Sequence, residues 1–186
     1  MDTPESLLDR YRPLLCLHVR QLQLGRLYNA RFDSSDVVQE AMLRAVKGLD
    51  QVRGTEEFEF VRWLQTIVSN VFVDLVRKHR ADIRDPRMEQ SIHDALGEAD
   101  TPIAAFLSAS QPGPSTLAVL KEELVRMAAA IDQLPDAERD AVIAHYILEL
   151  PLSEVATRLD RTVKGVAGLL FRGKRRLREL LAAEEV

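Results

Sequence analysis

Between residues 163 and 178 stand Lys164, Arg172, Lys174, Arg175, Arg176 and Arg178, with no acid among them. Cations at this density bind phosphate oxygens, and an arginine can also address a guanine edge through two parallel hydrogen bonds. A second, weaker run holds Arg77, Lys78, Arg80 and Arg84 against Asp82 alone. Leading into it, Trp63, Thr66, Asn70, Asp74 and Arg77 fall on one side of a helix at roughly 100° per residue. An indole, an amide and a guanidinium side by side offer stacking on unpaired bases and hydrogen bonds to their edges. A third set, Asp36, Gln39, Glu40, Leu43 and Lys47, repeats at helical spacing. One leucine ringed by polar side chains has the composition of a protein-docking hot spot.

Each set needs an element to present it. The C-terminal cations follow a short apolar-periodic segment, Ser153 to Leu159, and a three-residue turn, Asp160-Arg161-Thr162. With the long segment Val163 to Ala183, the lengths match a helix-turn-helix. Placing Val166 in the core turns Leu170, Gly173, Leu177 and Leu180 inward and Lys164, Ala167, Gly168, Phe171, Arg172 and Arg175 outward, toward a major groove. Thr162 is the expected cap, its hydroxyl and the helix N-terminus lying near a phosphate. Gly165, Gly168 and Gly173 each cost about 0.5–1 kcal/mol relative to alanine, so close backbone approach to DNA or protein is expected there.

The Trp63 helix is expected over 55–80, with Val61, Leu64, Val68, Phe72 and Leu75 as its apolar stripe. The Leu43 helix is expected to open at Ser34 or Ser35, with a serine cap and Asp36 at the positive end of the dipole, and to close near Leu49. Its inner stripe is Val38, Ala41, Met42, Ala45 and Leu49. A first helix over 5–24 buries Leu7, Leu8, Tyr11, Leu14, Leu15, His18, Val19 and Leu22, with Cys16 and His18 as packing residues. Further helices are expected over 116–133 and 136–150. From 81 to 115 the periodicity lapses among Pro86, Pro102, Pro112 and Pro114, leaving a mobile tether with at most a short helix over 103–109. No sustained period-two run marks a strand, so the fold class is all-α, two helical domains joined by a flexible linker.

The chain has 186 residues, 46% apolar and 5% aromatic, enough for one or two cored domains and too apolar for disorder. No uncharged stretch is long enough to span a bilayer and no leader pattern opens the chain, which reads as cytoplasmic, without membrane insertion. Cys16 is the single cysteine, and the four histidines show no ligand spacing with it, so no metal or cofactor is expected. The net charge of −4 hides a segregation in which acidic residues from Asp85 to Asp100 separate two basic patches.

Three stretches resemble the extracytoplasmic-function (ECF) sigma factors of the sigma-70 family: RFDSSDVVQEAMLRAV (31–46), FVRWLQTIVSNVFVDLVRKHR (60–80) and LPLSEVATRLDRTVKGVAGLLFRGKRRLREL (150–180). The resemblance covers nearly the whole chain. It implies a sigma-2 domain over 1–85, a linker over 86–113 and a sigma-4 domain over 114–186. It also implies a transcription initiation factor that binds core RNA polymerase, directs it to promoters and assists melting. Asp36, Gln39, Glu40, Leu43 and Lys47 would then dock on the beta-prime clamp helices, and the beta flap of the core enzyme is a further implied partner of the chain. Trp63, Asn70, Asp74, Arg77, Lys78 and Arg80 would meet the minus-10 element. Thr162, Lys164, Ala167, Gly168, Phe171, Arg172 and Arg175 would meet the minus-35 element. An anti-sigma factor is a further implied partner. Ala167-Gly168 stands where many members have Lys-Ser, and Asp160 where a turn glycine is usual.

Two other classes remain in view. A metal-dependent nuclease would have to use Asp36 with Glu40, or Glu57 with Glu59, and no nucleophile-base cluster supports an enzyme. A promoter-binding regulator would use the helix-turn-helix alone and bind duplex DNA tightly without polymerase.

Overall fold

Apolar residues at three- and four-residue spacing wind into helices because that spacing gathers them on one face. The computed structural model describes residues 4–25, 33–52, 57–81 and 114–183, and among them every regular element is helical. The first half comprises α1 (Pro4–Gly25), α2 (Ser34–Gly48) with a 3-10 turn at Leu49–Val52, and α3 (Glu57–Ala81). The second comprises α4 (Pro114–Asp132), α5 (Asp136–Val142) running into a π-helical turn at Ile143–Ile147, α6 (Leu152–Arg158) and α7 (Val163–Ala183). The tether and the short helix expected over 103–109 lie outside the described residues.

The stripes read from the sequence form the interior. Leu8, Tyr11, Leu14, Leu15 and Val19 of α1 pack against Val37, Val38, Ala41 and Ala45 of α2 and Val61, Leu64, Val68 and Phe72 of α3. His18 is buried, and its Nε2 meets the Ser69 hydroxyl at 2.9 Å, which places a polar bridge between α1 and α3 where an unpaired ring nitrogen would be costly. Cys16 is buried as expected, and burial pushes its thiol up to about 11, so at neutral pH it is protonated and a poor nucleophile. The cap of α2 differs from expectation. Asp33 holds it, its Oδ1 accepting from the Ser35 amide at 2.8 Å, while Ser34 is buried and the Ser35 hydroxyl accepts from Arg12. Aspartate caps as well as serine, and it adds a full charge to the helix dipole.

The two halves do not stand apart. Ala128 and Ile131 of α4 and Ile143 of the π turn belong to the same buried cluster as α1. Ion pairs edge this seam, Arg20 reaching Asp140 at 3.6 Å and Asp136 at 3.9 Å, and Arg158 donates to the Leu24 carbonyl. A second cluster, Leu134, Ala141, Val142, Ala144, Val155, Ala156, Val166 and Leu170, holds α5, α6 and α7 together.

Candidate nucleic-acid interface

The turn between α6 and α7 is fixed by backbone bonds. The Arg161 amide donates to the Ala156 carbonyl at 2.9 Å and the Asp160 amide to the Thr157 carbonyl at 3.3 Å. Asp160 takes φ 51°, the left-handed region that glycine favours and that aspartate tolerates. Asp160→Val, β-branched and without that tolerance, is expected to lower the unfolding free energy by about 1–2 kcal/mol, read by urea denaturation. Thr162 caps α7 as expected: its hydroxyl accepts from the Gly165 amide at 3.1 Å and its carbonyl from the Val166 amide at 2.9 Å.

On α7 most of the inward and outward assignments hold, while inward Leu177 and Leu180 are only half-buried. Val166, Leu170 and Gly173 are buried, whereas Lys164, Ala167, Phe171, Arg172 and Arg175 are exposed and Gly168 is half-buried. Phe171 is 70% exposed, an apolar ring standing among cations. The glycines divide. A Cβ on Gly168 would meet only the Arg172 guanidinium, at 3.5 Å, whereas one on Gly173 would strike Val142 at 2.9 Å and approach Glu138. Close approach is thus realised at Gly173, and the neighbour is the chain's own α5. Glu138, 5% exposed, pairs with Arg172 at 3.2 Å and Arg176 at 3.0 Å. A buried carboxylate therefore orients Arg172 of the outward strip, and Arg176 beside that strip, from below.

On α3, Asn70, Arg77 and Lys78 are exposed, and Arg80 lies in the last turn with its side chain outside the described residues. Trp63, placed on the polar face by periodicity, is half-buried. Its six-membered ring lies 3.0 Å from the Cβ position of Gly48 and its centroid 5.8 Å from that of Phe60. The absence of a side chain at Gly48 makes room for the indole at the end of α2, which the linear sequence does not reveal.

On α2, Asp36, Gln39, Glu40, Leu43 and Lys47 are all exposed, Leu43 by 56%, with Val46 beside it. Arg44, which nothing in the linear sequence singles out, also stands on this helix. Its Nε donates to Glu40 at 3.1 Å and its Nη1 to Asp74 of α3 at 2.9 Å. The first bond is a visible i, i+4 pair, but the second spans helices and has no signature in the sequence. Among the described residues no cluster of His, Cys, Asp or Glu is arranged to hold a metal ion, and no helix is long and apolar enough to cross a membrane.

Two family descriptions match this chain: Sigma-70 region 2 over residues 7–81 and Sigma-70, region 4 over residues 124–177. The ECF RNA polymerase sigma factor EcfG of Rhodopseudomonas palustris is 32% identical over 149 residues, 74% of this chain and 71% of that protein. The RNA polymerase sigma factor CnrH of Cupriavidus metallidurans is 28% identical over 152 residues, 82% and 75% of the respective chains. Among solved structures, the sigma factor RpoE in complex with the anti-sigma factor NepR from Bartonella quintana is similar at 20% identity and a TM-score of 0.35. The match covers 91% of this chain and 93% of that one.

Proposed function

Because the chain belongs to the ECF sigma factors of the sigma-70 family, initiation factors that direct RNA polymerase to promoters, we propose a role for each face described above. The exposed set Asp36, Gln39, Glu40, Leu43 and Lys47 docks on the beta-prime clamp helices of the core enzyme, with Leu43 as the apolar anchor. The α3 face, Asn70, Asp74, Arg77, Lys78 and Arg80 with Trp63 behind it, receives the minus-10 element. Extruding a base costs a few kcal/mol, which contacts along this face offset. Thr162, Lys164, Ala167, Gly168, Phe171, Arg172 and Arg175 address the minus-35 element and the beta flap meets the same C-terminal unit. The functional units are residues 1–85 and 114–186. The protein acts in the cytoplasm by binding, not catalysis, with an anti-sigma factor as a further partner.

The observation that carries this reading is α7: capped by Thr162, backed by the buried Glu138, and exposing five of its expected reading residues in a single strip. Transcription in vitro with core polymerase and a promoter library tests it. Specific transcripts are expected from the parent chain, and about tenfold fewer from Gln39→Ala/Leu43→Ala at equal concentration, the cost of truncating an interface anchor. Tight duplex binding without polymerase and no transcripts would favour a regulator instead, and magnesium-dependent DNA cleavage a nuclease.

A further inference from the structure

Asp74 presents a difficulty. It sits between Asn70 and Arg77, one turn from each, on the face proposed to meet a polyanion, and it is 46% exposed. A bare carboxylate there would repel phosphate and work against the cations beside it. The structure pairs it with Arg44, whose Nη1 lies 2.9 Å from Asp74 Oδ2 while its Nε lies 3.1 Å from Glu40 Oε1. Glu40 belongs to the α2 docking face. One guanidinium thus joins a carboxylate of each face, and its rigid fork suits it to hold both at once.

Resting on the functional reading above, we propose that Arg44 is a positioning residue that neutralises Asp74 for DNA approach and links that neutralisation to polymerase docking through Glu40. In the free chain Arg44 divides its charge between two acids. Any docking contact that takes up the Glu40 carboxylate leaves Arg44 wholly to Asp74, and the α3 face becomes less repulsive to DNA. Lysine, a point charge without the fork, holds one carboxylate but not both in this geometry.

A double-mutant cycle on the full chain in reconstituted holoenzyme tests this, with promoter opening read by permanganate reactivity of unpaired thymines and stability by thermal melting. Arg44→Ala is expected to reduce opening about tenfold in the parent and less than twofold in the Asp74→Asn background, with Arg44→Lys between. Melting temperatures of the same variants should show no matching coupling, because all three side chains are half-exposed and exposed ion pairs contribute little to stability. An equal loss in both backgrounds, or coupling seen in melting alone, would overturn the assignment of Arg44. Asn70→Ala and Arg77→Ala separate the two levels. If they impair opening while the Arg44 effect is unchanged by Asp74→Asn, only this inference fails. If neither impairs opening, the reading of α3 fails and the inference with it.

Discussion

Phe72→Ala is expected to lower the unfolding free energy by about 3–5 kcal/mol, a large part of the roughly 5–15 kcal/mol that holds a domain together. Phe72 is 2% exposed and among the largest fully buried side chains, in the buried cluster that α1, α2 and α3 share and to which Leu15, Val19 and Val38 also belong. Truncating it removes a ring from a close-packed interior, and three helices cannot all close on the void. The effect should also cross the seam. Ala128, Ile131 and Ile143 belong to the same buried cluster, so the first and second halves share the loss. Trp63 is the chain's one tryptophan and lies in the first half, so its fluorescence reports α3 while far-ultraviolet circular dichroism reports all the helices. In a urea titration both signals should shift together to lower midpoints. Two separated transitions, with only the fluorescence moved by Phe72→Ala, would show that the shared cluster does not couple the halves.

The second large effect is expected at Gly173. A leucine there begins with a Cβ 2.9 Å from Val142 and 3.5 Å from the Glu138 carbonyl oxygen, and its branch would have to enter the cluster of Val142, Val166 and Leu170. Overpacking of this kind costs about 3 kcal/mol at the upper end of its usual range. The functional consequence follows from geometry. Moving α7 off α5 separates Arg172, and Arg176 beside the strip, from Glu138, so Arg172 loses the carboxylate that orients it. Minus-35 binding by the holoenzyme should therefore fall together with stability. Gly168→Ala, five residues earlier on the same helix, is the contrast. Its Cβ meets only a flexible guanidinium, so it should gain up to about 1 kcal/mol from helix propensity. Equal responses at the two positions would mean that Gly173 is not the point where the helices touch.

The helices and most of their faces follow from local pattern, Trp63 being an exception. Helical periodicity is a local property, each apolar stripe demanding burial and each polar strip demanding water. The inward residues Val166, Leu170 and Gly173 and the outward residues Leu43, Phe171 and Arg175 could therefore be read directly. The Thr162 cap was equally legible, because a cap bonds within one turn. The α2 cap fell at Asp33 rather than at Ser34 or Ser35 because all three are good caps and local chemistry alone does not choose among them. Pairing between helices was not legible. The indole of Trp63 seated on Gly48, the Gly173 contact with Val142, the Glu138 support of Arg172 and Arg176, and the bond from Arg44 to Asp74 join residues 15 to 38 positions apart. Which face of one helix meets which face of another depends on how whole stripes interlock. That interlocking decided which of the charged residues stand free to meet DNA and which are held by the protein itself.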